Sequence, residues 1–145
     1  MIRVEHSVVI RQPVETVFTF LSDVTNIPRW NSVITESKLT SEGPVQVGAT
    51  FYQVANFLGR RIQTELRVTE YEPNKVFAFK SISGPFPIMV KLTLEPVGDS
   101  TNLSHFGEPD ASGFFKLAEP LLSIAIKRQV ESNMSHLKNL LEASP

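Results

Sequence analysis

Three histidines, one tryptophan and two tyrosines are the side chains through which this chain could do proton or hydrogen-bond chemistry. His6 falls on the apolar side of an alternating segment. A neutral imidazole there would serve as a general base toward a ligand carbonyl or enol, or as a hydrogen-bonded core residue. His105 lies near Glu108 and Asp110, and a carboxylate holding its far nitrogen would make it an acid/base group; a solvated strand-edge histidine is the alternative. His136 falls among polar helix residues and reads as exposed. Tyr52, Asn56 and Thr64 offer hydrogen bonds to a ligand, and a tyrosine with an asparagine at this spacing suits a developing enolate. Trp30 either places an indole N–H at the mouth of a site or anchors short helices on a sheet. Arg60-Arg61, after Gly59, suits an anionic head group or a solvated turn.

Other chemistries find no support. There is no cysteine, so disulfides, thiolate metal sites and a cysteine nucleophile are excluded. The histidines match no metal-ligand spacing, and no metal or other cofactor is expected. GxSxG, phosphate-loop and HExxH motifs are absent. Fourteen Lys and Arg against fifteen Asp and Glu give a formal net charge of −1, without the basic footprint of a nucleic-acid binder. The longest apolar stretch, Leu117–Ile126, is too short for stable membrane insertion and contains Glu119 and Pro120. Arg3, Glu5 and His6 interrupt any signal-like apolar run. A cytoplasmic location is the expectation.

The elements that must position these residues follow from periodicity. Val4, His6, Val8 and Ile10 alternate with polar residues, apart from Val9, and predict a first strand. Gln12-Pro13 ends it; Val14, Val17, Phe18 and Leu21 have the spacing of a short amphipathic helix, and a second short helix is expected around Pro28–Asn31. Six strands follow at Val33–Thr40, Ala49–Phe57, Arg61–Tyr71, Val76–Ser83, Ile88–Pro96 and Asn102–Glu108. Glu42-Gly43-Pro44, Leu58-Gly59, Glu72-Pro73-Asn74 and Gly98-Asp99-Ser100 supply turns, whereas Ser83-Gly84-Pro85-Phe86-Pro87 makes a stiff apolar loop. Short links favour an antiparallel meander. From Phe114 to about Ala143 runs one helical pattern, about 45 Å long. Ile126, Val130, Leu137 and Leu141 form one apolar stripe. Phe114, Leu117, Leu121 and Ile124 form another, roughly opposite, that something besides the sheet must cover. Pro120 either kinks this helix or marks its start. The order β-α-α-β6-α makes residues 1–145 a single α+β domain, with the long helix across a curved sheet and a cavity between them.

Alternation predicts which side chains reach that cavity. Ile62, Thr64, Leu66 and Val68 share the buried face of their strand, Phe77 and Phe79 point in together, and so do Ile88, Val90, Leu92 and Leu94. The strand Ala49–Phe57 is ambiguous: Phe51, Gln53, Ala55 and Phe57 oppose Thr50, Tyr52, Val54 and Asn56. The Tyr52 face is favoured, because a pocket needs polar handles among apolar walls. The expected ligand contacts are therefore Trp30, Tyr52, Val54, Asn56, Thr64, Leu66, Phe77, Phe79, Val90, Leu92, Leu121 and Ala125.

This pattern resembles the START-like, helix-grip superfamily and its polyketide cyclase/dehydrase-like (SRPBCC) branch. The resemblance lies in Val8-Val9-Ile10-Arg11-Gln12-Pro13-Val14-Glu15-Thr16-Val17-Phe18 and in Asp23-Val24-Thr25-Asn26-Ile27-Pro28-Arg29-Trp30-Asn31. It continues through Val68-Thr69-Glu70-Tyr71-Glu72-Pro73, Val76-Phe77-Ala78-Phe79 and Leu137-Lys138-Asn139-Leu140. It implies a seven-stranded antiparallel sheet gripping the C-terminal helix over a deep apolar cavity. Members bind lipids, sterols, hormones, polyketides or quinones, and some are cyclases or dehydratases; no universal catalytic motif carries over. Three functions follow: a carrier or sensor of a small hydrophobic molecule, a cofactor-independent cyclase or dehydratase using His6, His105 or Tyr52, and a protein-interaction module using the outer stripe. A homodimer is open under each.

Overall fold

The computed structural model describes residues 4–57, 59–84, 87–107 and 119–143, without the side chains at 57 and 119–122. The alternating first segment forms β1 (Val4–Ile10), and the amphipathic stretch after it forms α1 (Val14–Leu21). Pro13 caps α1 with φ −61°, a position that needs no backbone donor. A 3₁₀ turn at Val24–Asn26 follows, where the Asp23 carboxylate accepts the Thr25 N–H at 3.0 Å. It leads into α2 (Ile27–Trp30), with Pro28 in its first turn.

Six strands follow: β2 (Ile34–Leu39), β3 (Thr50–Phe57), β4 (Arg60–Glu72), β5 (Val76–Ser83), β6 (Met89–Val97) and β7 (Ser100–Gly107). They form a meander, and β1 adds beside β7 to give one seven-stranded antiparallel sheet in the order β1-β7-β6-β5-β4-β3-β2. Two tight connections depend on left-handed backbone: Asn74 at φ 66° between β4 and β5, and Gly98 at φ 60° between β6 and β7. Asparagine and glycine tolerate that region with the least steric cost. The closing helix α3 (Glu119–Glu142) has 24 residues, about 36 Å. The expected helix-grip architecture is present. Phe114 and Leu117 lie outside the described residues, and Pro120 falls in the first turn of α3 as described.

One face of the sheet is the core face. Val130, Met134, Leu137 and Leu141 of α3 and Val17, Phe18 and Leu21 of α1 are buried with it. Ile126 is partly buried against them, which completes the expected stripe. Aromatic edges link the layers: Phe18 to Tyr71 at 5.4 Å, Tyr71 to Phe77 at 6.3 Å, Phe77 to Phe79 at 5.6 Å and Phe79 to Phe51 at 5.2 Å between ring centroids. Tyr71 joins this row because the β4–β5 register shifts between Val68 and Glu70. A bulge there inserts Thr69 and turns the next odd-numbered residue inward. Of the outer helix stripe, Ile124 is 51% exposed.

The end of α3 is tied to the turn after β1. The Glu142 carboxylate accepts the Arg11 backbone N–H at 2.8 Å, the Arg11 guanidinium at 3.2 Å and Lys138 Nζ at 2.6 Å. Lys138 Nζ also donates to the Val9 carbonyl at 2.6 Å, and Gln12 Nε2 donates to the Leu141 carbonyl at 2.9 Å. The last bond satisfies a carbonyl that the helix end leaves without a partner. A carboxylate at a helix C-terminus is disfavoured by the helix dipole, and these donors offset that. Lys138 foremost, then the Arg11 N–H, hold the Glu142 carboxyl down to about 2 against the opposing effect of burial. A carboxylate depressed in the folded state adds stability that is complete above its ordinary pKa of about 4.5 and is lost as pH falls from there toward 2. Glu142→Gln should therefore lower the melting temperature by a few degrees at pH 7. The gap to the parent protein should narrow steadily between pH 5 and pH 3 in thermal melts across that range.

Candidate functional site

The ladder registers divide the side chains cleanly between the two faces. On the core face, Ile62, Thr64, Leu66 and Val68 of β4 stand beside Phe77 and Phe79 of β5 and Val90, Leu92 and Leu94 of β6. Thr64, Leu66, Phe77, Phe79, Val90 and Leu92 thus lie on the surface expected to meet a ligand. In β7 the same face carries Thr101, Leu103, His105 and Gly107, and in β1 it carries Val4, His6, Val8 and Ile10.

His6 and His105 are therefore direct cross-strand neighbours, although they come from opposite ends of the strand sequence. His105 Nδ1 is buried and has no hydrogen-bond partner among the described residues. Its ring occupies space that only a glycine next to it leaves open: a Cβ at Gly107 would lie 3.2 Å from His105 Cε1. Burial, reinforced by the nearby His6 and partly opposed by its own backbone, pushes the His105 imidazole down from 6.5 to about 4. At neutral pH it is an uncharged ring able to accept a hydrogen bond. Glu108 and Asp110, the expected carboxylate partners, lie outside the described residues.

Strand β3 reverses the expected orientation. Phe51 pairs with Leu66 and Gln53 with Thr64, so the Phe51, Gln53 and Ala55 face is the inner one and Gln53 is its polar handle. Tyr52 points outward between Lys38 and Glu65 and donates to Glu36 Oε1 at 2.5 Å. That hydrogen bond, foremost, raises the Tyr52 phenol above its ordinary 10. Asn56 is exposed, and Val54 is buried on the outer face, apart from the main core. The expectation failed because both faces of this strand mix polar and apolar residues, so alternation alone could not choose. Ala125 is also exposed; it precedes the buried Val130 by five residues, roughly 140° around the helix. The side chain of Leu121 is outside the described residues.

Trp30 is buried in the core beneath α2, and its indole N–H has no acceptor among the described residues. It also floors a cleft of about 180 Å³ between α2 and α3, whose walls include Ser32, Asn133 and His136. Gln129 Nε2 bridges Ser32 Oγ and Asn133 Oδ1, each at 2.8 Å. Sequence reasoning missed Asn133 because a polar residue beside the apolar stripe looks like ordinary helix surface. Among the described residues, no group of three His, Cys, Asp or Glu side chains is placed to hold a metal ion. No helix among them is long and apolar enough to cross a membrane.

Residues 1–142 match the family described as polyketide cyclase / dehydrase and lipid transport. The chain belongs to that family. No curated protein matches this polyketide cyclase/dehydrase family member, but solved structures share its fold. A protein from Thermus thermophilus superposes with a TM-score of 0.83 at 17% identity, over 98% of each chain. The Zhui aromatase/cyclase from Streptomyces sp. R1128 gives 0.78 at 17% identity, over 97% of this chain and 93% of that one. A START superfamily protein from Mycobacterium smegmatis gives 0.72 at 19% identity, over 99% and 96%.

His105, half-buried with its Nδ1 enclosed, carries a pH signature for this family member. A basic group whose pKa is depressed by folding binds fewer protons than in the unfolded chain, so stability is complete above about 6.5 and falls as pH drops from there to about 4. The loss over that window should reach up to about 3 kcal/mol. In urea unfolding between pH 7 and pH 4, His105→Asn should abolish most of that slope. The His105 ring nitrogens should still report a neutral imidazole by NMR at pH 5.5; titration of this ring near 6.5 would refute the assignment.

Proposed function

We propose that this chain holds a small hydrophobic molecule in a cavity between the core face of the sheet and α3, as a carrier or sensor. The observation that supports this reading is the unpartnered, buried Nδ1 of His105 on a face otherwise built from Leu92, Leu103, Phe77 and Phe79. An unpaired ring nitrogen on an apolar wall costs about 1–3 kcal/mol, and a hydrogen bond from a ligand would recover that loss. Ligand sites typically combine apolar walls with a few such groups. The family's description, which names lipid transport, agrees with the reading.

A second reading, a cofactor-independent cyclase or dehydratase, is favoured by one observation: His6 and His105 stand side by side on the same face. Two imidazoles in register could pass a proton between carbon and oxygen atoms of one substrate. Similarity to an aromatase/cyclase is consistent with it. A histidine held at about 4 is, however, a weak base at neutral pH, so binding is the primary proposal.

Native mass spectrometry of freshly purified protein, followed by denaturing extraction, separates these readings. A carrier should show a discrete adduct that is released on denaturation, and the same spectrum gives the subunit count. His105→Leu should weaken retention of that adduct roughly tenfold, the effect of one lost hydrogen bond. If the extract instead contains a product set that converts to an unreacted precursor when either histidine is replaced, the carrier proposal gives way to the enzyme.

A further inference from the structure

The most unusual feature of the core face lies at the other end of the sheet. Ser37 of β2 pairs with Gln53 of β3, and Gln53 pairs with Thr64 of β4. Directly opposed side chains on one face are neighbours, so these three form a single row about 10 Å long. All three are buried, at 7%, 8% and 6% exposure. The rows on either side are apolar: Ile34, Ala55 and Ile62 on one, Leu39, Phe51 and Leu66 on the other. Ser37 Oγ has no hydrogen-bond partner, and the side chains of Gln53 and Thr64 make no hydrogen bond among the described residues. Enclosing Ser37 Oγ without a partner among the described residues costs its bonds to water, and two further polar side chains without internal partners stand beside it. Sheet geometry supplies no reason for the row either. Valine or leucine at these positions would continue the apolar surface above and below.

The chemistry of the row is specific. Two hydroxyls and a carboxamide each donate and accept, and none carries charge. Of the cationic residues of these three strands, Lys38, Arg61 and Arg67 are exposed and by alternation fall on the opposite face; Arg60 shares the face of the row but is exposed at the start of β4, four residues or about 13 Å along the strand from Thr64. A carboxylate or phosphate against this row would be buried without a counter-charge, which is strongly unfavourable. A hydroxyl or carbonyl would be fully served.

We infer that the row Ser37–Gln53–Thr64 is the subsite for the polar end of a neutral, oxygen-bearing hydrophobe, such as a phenol, alcohol or ketone, and that it discriminates against fatty-acid-like anions. This inference rests on the cavity reading above and adds the class of ligand. Gly84 fits the same picture: at φ +129° it approaches β4 so closely that a Cβ would lie 3.3 Å from Thr64 Oγ1.

The test compares naphthalene, 2-naphthol and 2-naphthoate by fluorescence titration against the parent protein, the double variant Gln53→Leu with Thr64→Val, and Thr64→Val alone. The parent should bind 2-naphthol roughly tenfold more tightly than naphthalene, the worth of one good hydrogen bond, although naphthalene is the more hydrophobic. Naphthoate should bind less tightly than naphthol. The double variant should lose or reverse the naphthol preference while keeping its affinity for naphthalene, and Thr64→Val should reduce the preference without changing side-chain shape. The variants should melt at or above the parent temperature, because apolar side chains replace polar ones that make no internal hydrogen bond. If naphthalene binds and naphthol binds no better, or if the variants keep the preference, the subsite is refuted and the cavity reading stands. If the variants melt far below the parent, the row has internal partners and the inference fails for that reason. If no probe binds at all, the cavity reading fails and takes the subsite with it.

Discussion

A curled seven-stranded antiparallel sheet presents one broad apolar face that water must not reach, and only the helices can cover it. Burial of Leu66, Val68, Phe77, Leu92 and Leu103 on that face follows from this constraint, as does the α3 stripe Val130, Met134, Leu137 and Leu141 that meets it. A helix fixed at one point would swing across such a surface. The clasp of Glu142 with Arg11 and Lys138, joined by the Gln12 bond to the helix end, sets where α3 crosses β1. Isolated surface pairs of this kind contribute little, but here one carboxylate gathers a backbone donor and two cations, and Lys138 bonds a strand carbonyl as well. The position of α3 over the sheet decides which inward side chains it covers and which remain free to meet something else.

What alternation could read from the sequence was the part of the sheet where the two faces of a strand contrast in polarity. Ile62, Thr64, Leu66 and Val68 alternate with Gln63, Glu65 and Arg67, and the structure buries Thr64, Leu66 and Val68 and half-buries Ile62. Strand β3 defeated the same logic because Phe51 and Gln53 oppose Tyr52 and Val54, leaving no contrast to read. Only the pairing of Phe51 with Leu66 settles its orientation, and pairing is a long-range property. Tyr71 fails for a different reason: a bulge shifts the period by one residue, and nothing local in Val68-Thr69-Glu70 announces it. Helix α3 was legible in its C-terminal half, where apolar and charged faces separate, and illegible near Ala125, where they do not.

The candidate site was legible as residue types and not as constellations. His6 reads as inward from its own strand and His105 reads equally as an inward group or a solvated strand edge, and their pairing exists only because β1 joins the sheet beside β7 rather than beside β2. Ser37, Gln53 and Thr64 come from three different strands, and Ser37 and Gln53 carried no signal at all, since serine and glutamine in a strand normally face water. Their significance is a matter of register: a slip of one residue in either ladder would send one of them to the outer face.

These two polar sets occupy the face that the fold itself needs only to be apolar. Solved structures keep this architecture at TM-scores of 0.72 to 0.83 with 17% to 19% identity, so the backbone arrangement tolerates replacement of most side chains. What the architecture requires is the alternation pattern, sufficient inward volume and a helix to close the sheet. A polar residue on the inner face contributes nothing to those requirements and works against folding by the cost of its lost hydration. Its presence therefore needs a reason outside the fold, and a hydrogen bond to a guest, or to the water that a guest displaces, supplies one. On that logic the apolar rows define where a molecule can lie, and His105 together with the Ser37–Gln53–Thr64 row defines which molecule it can be.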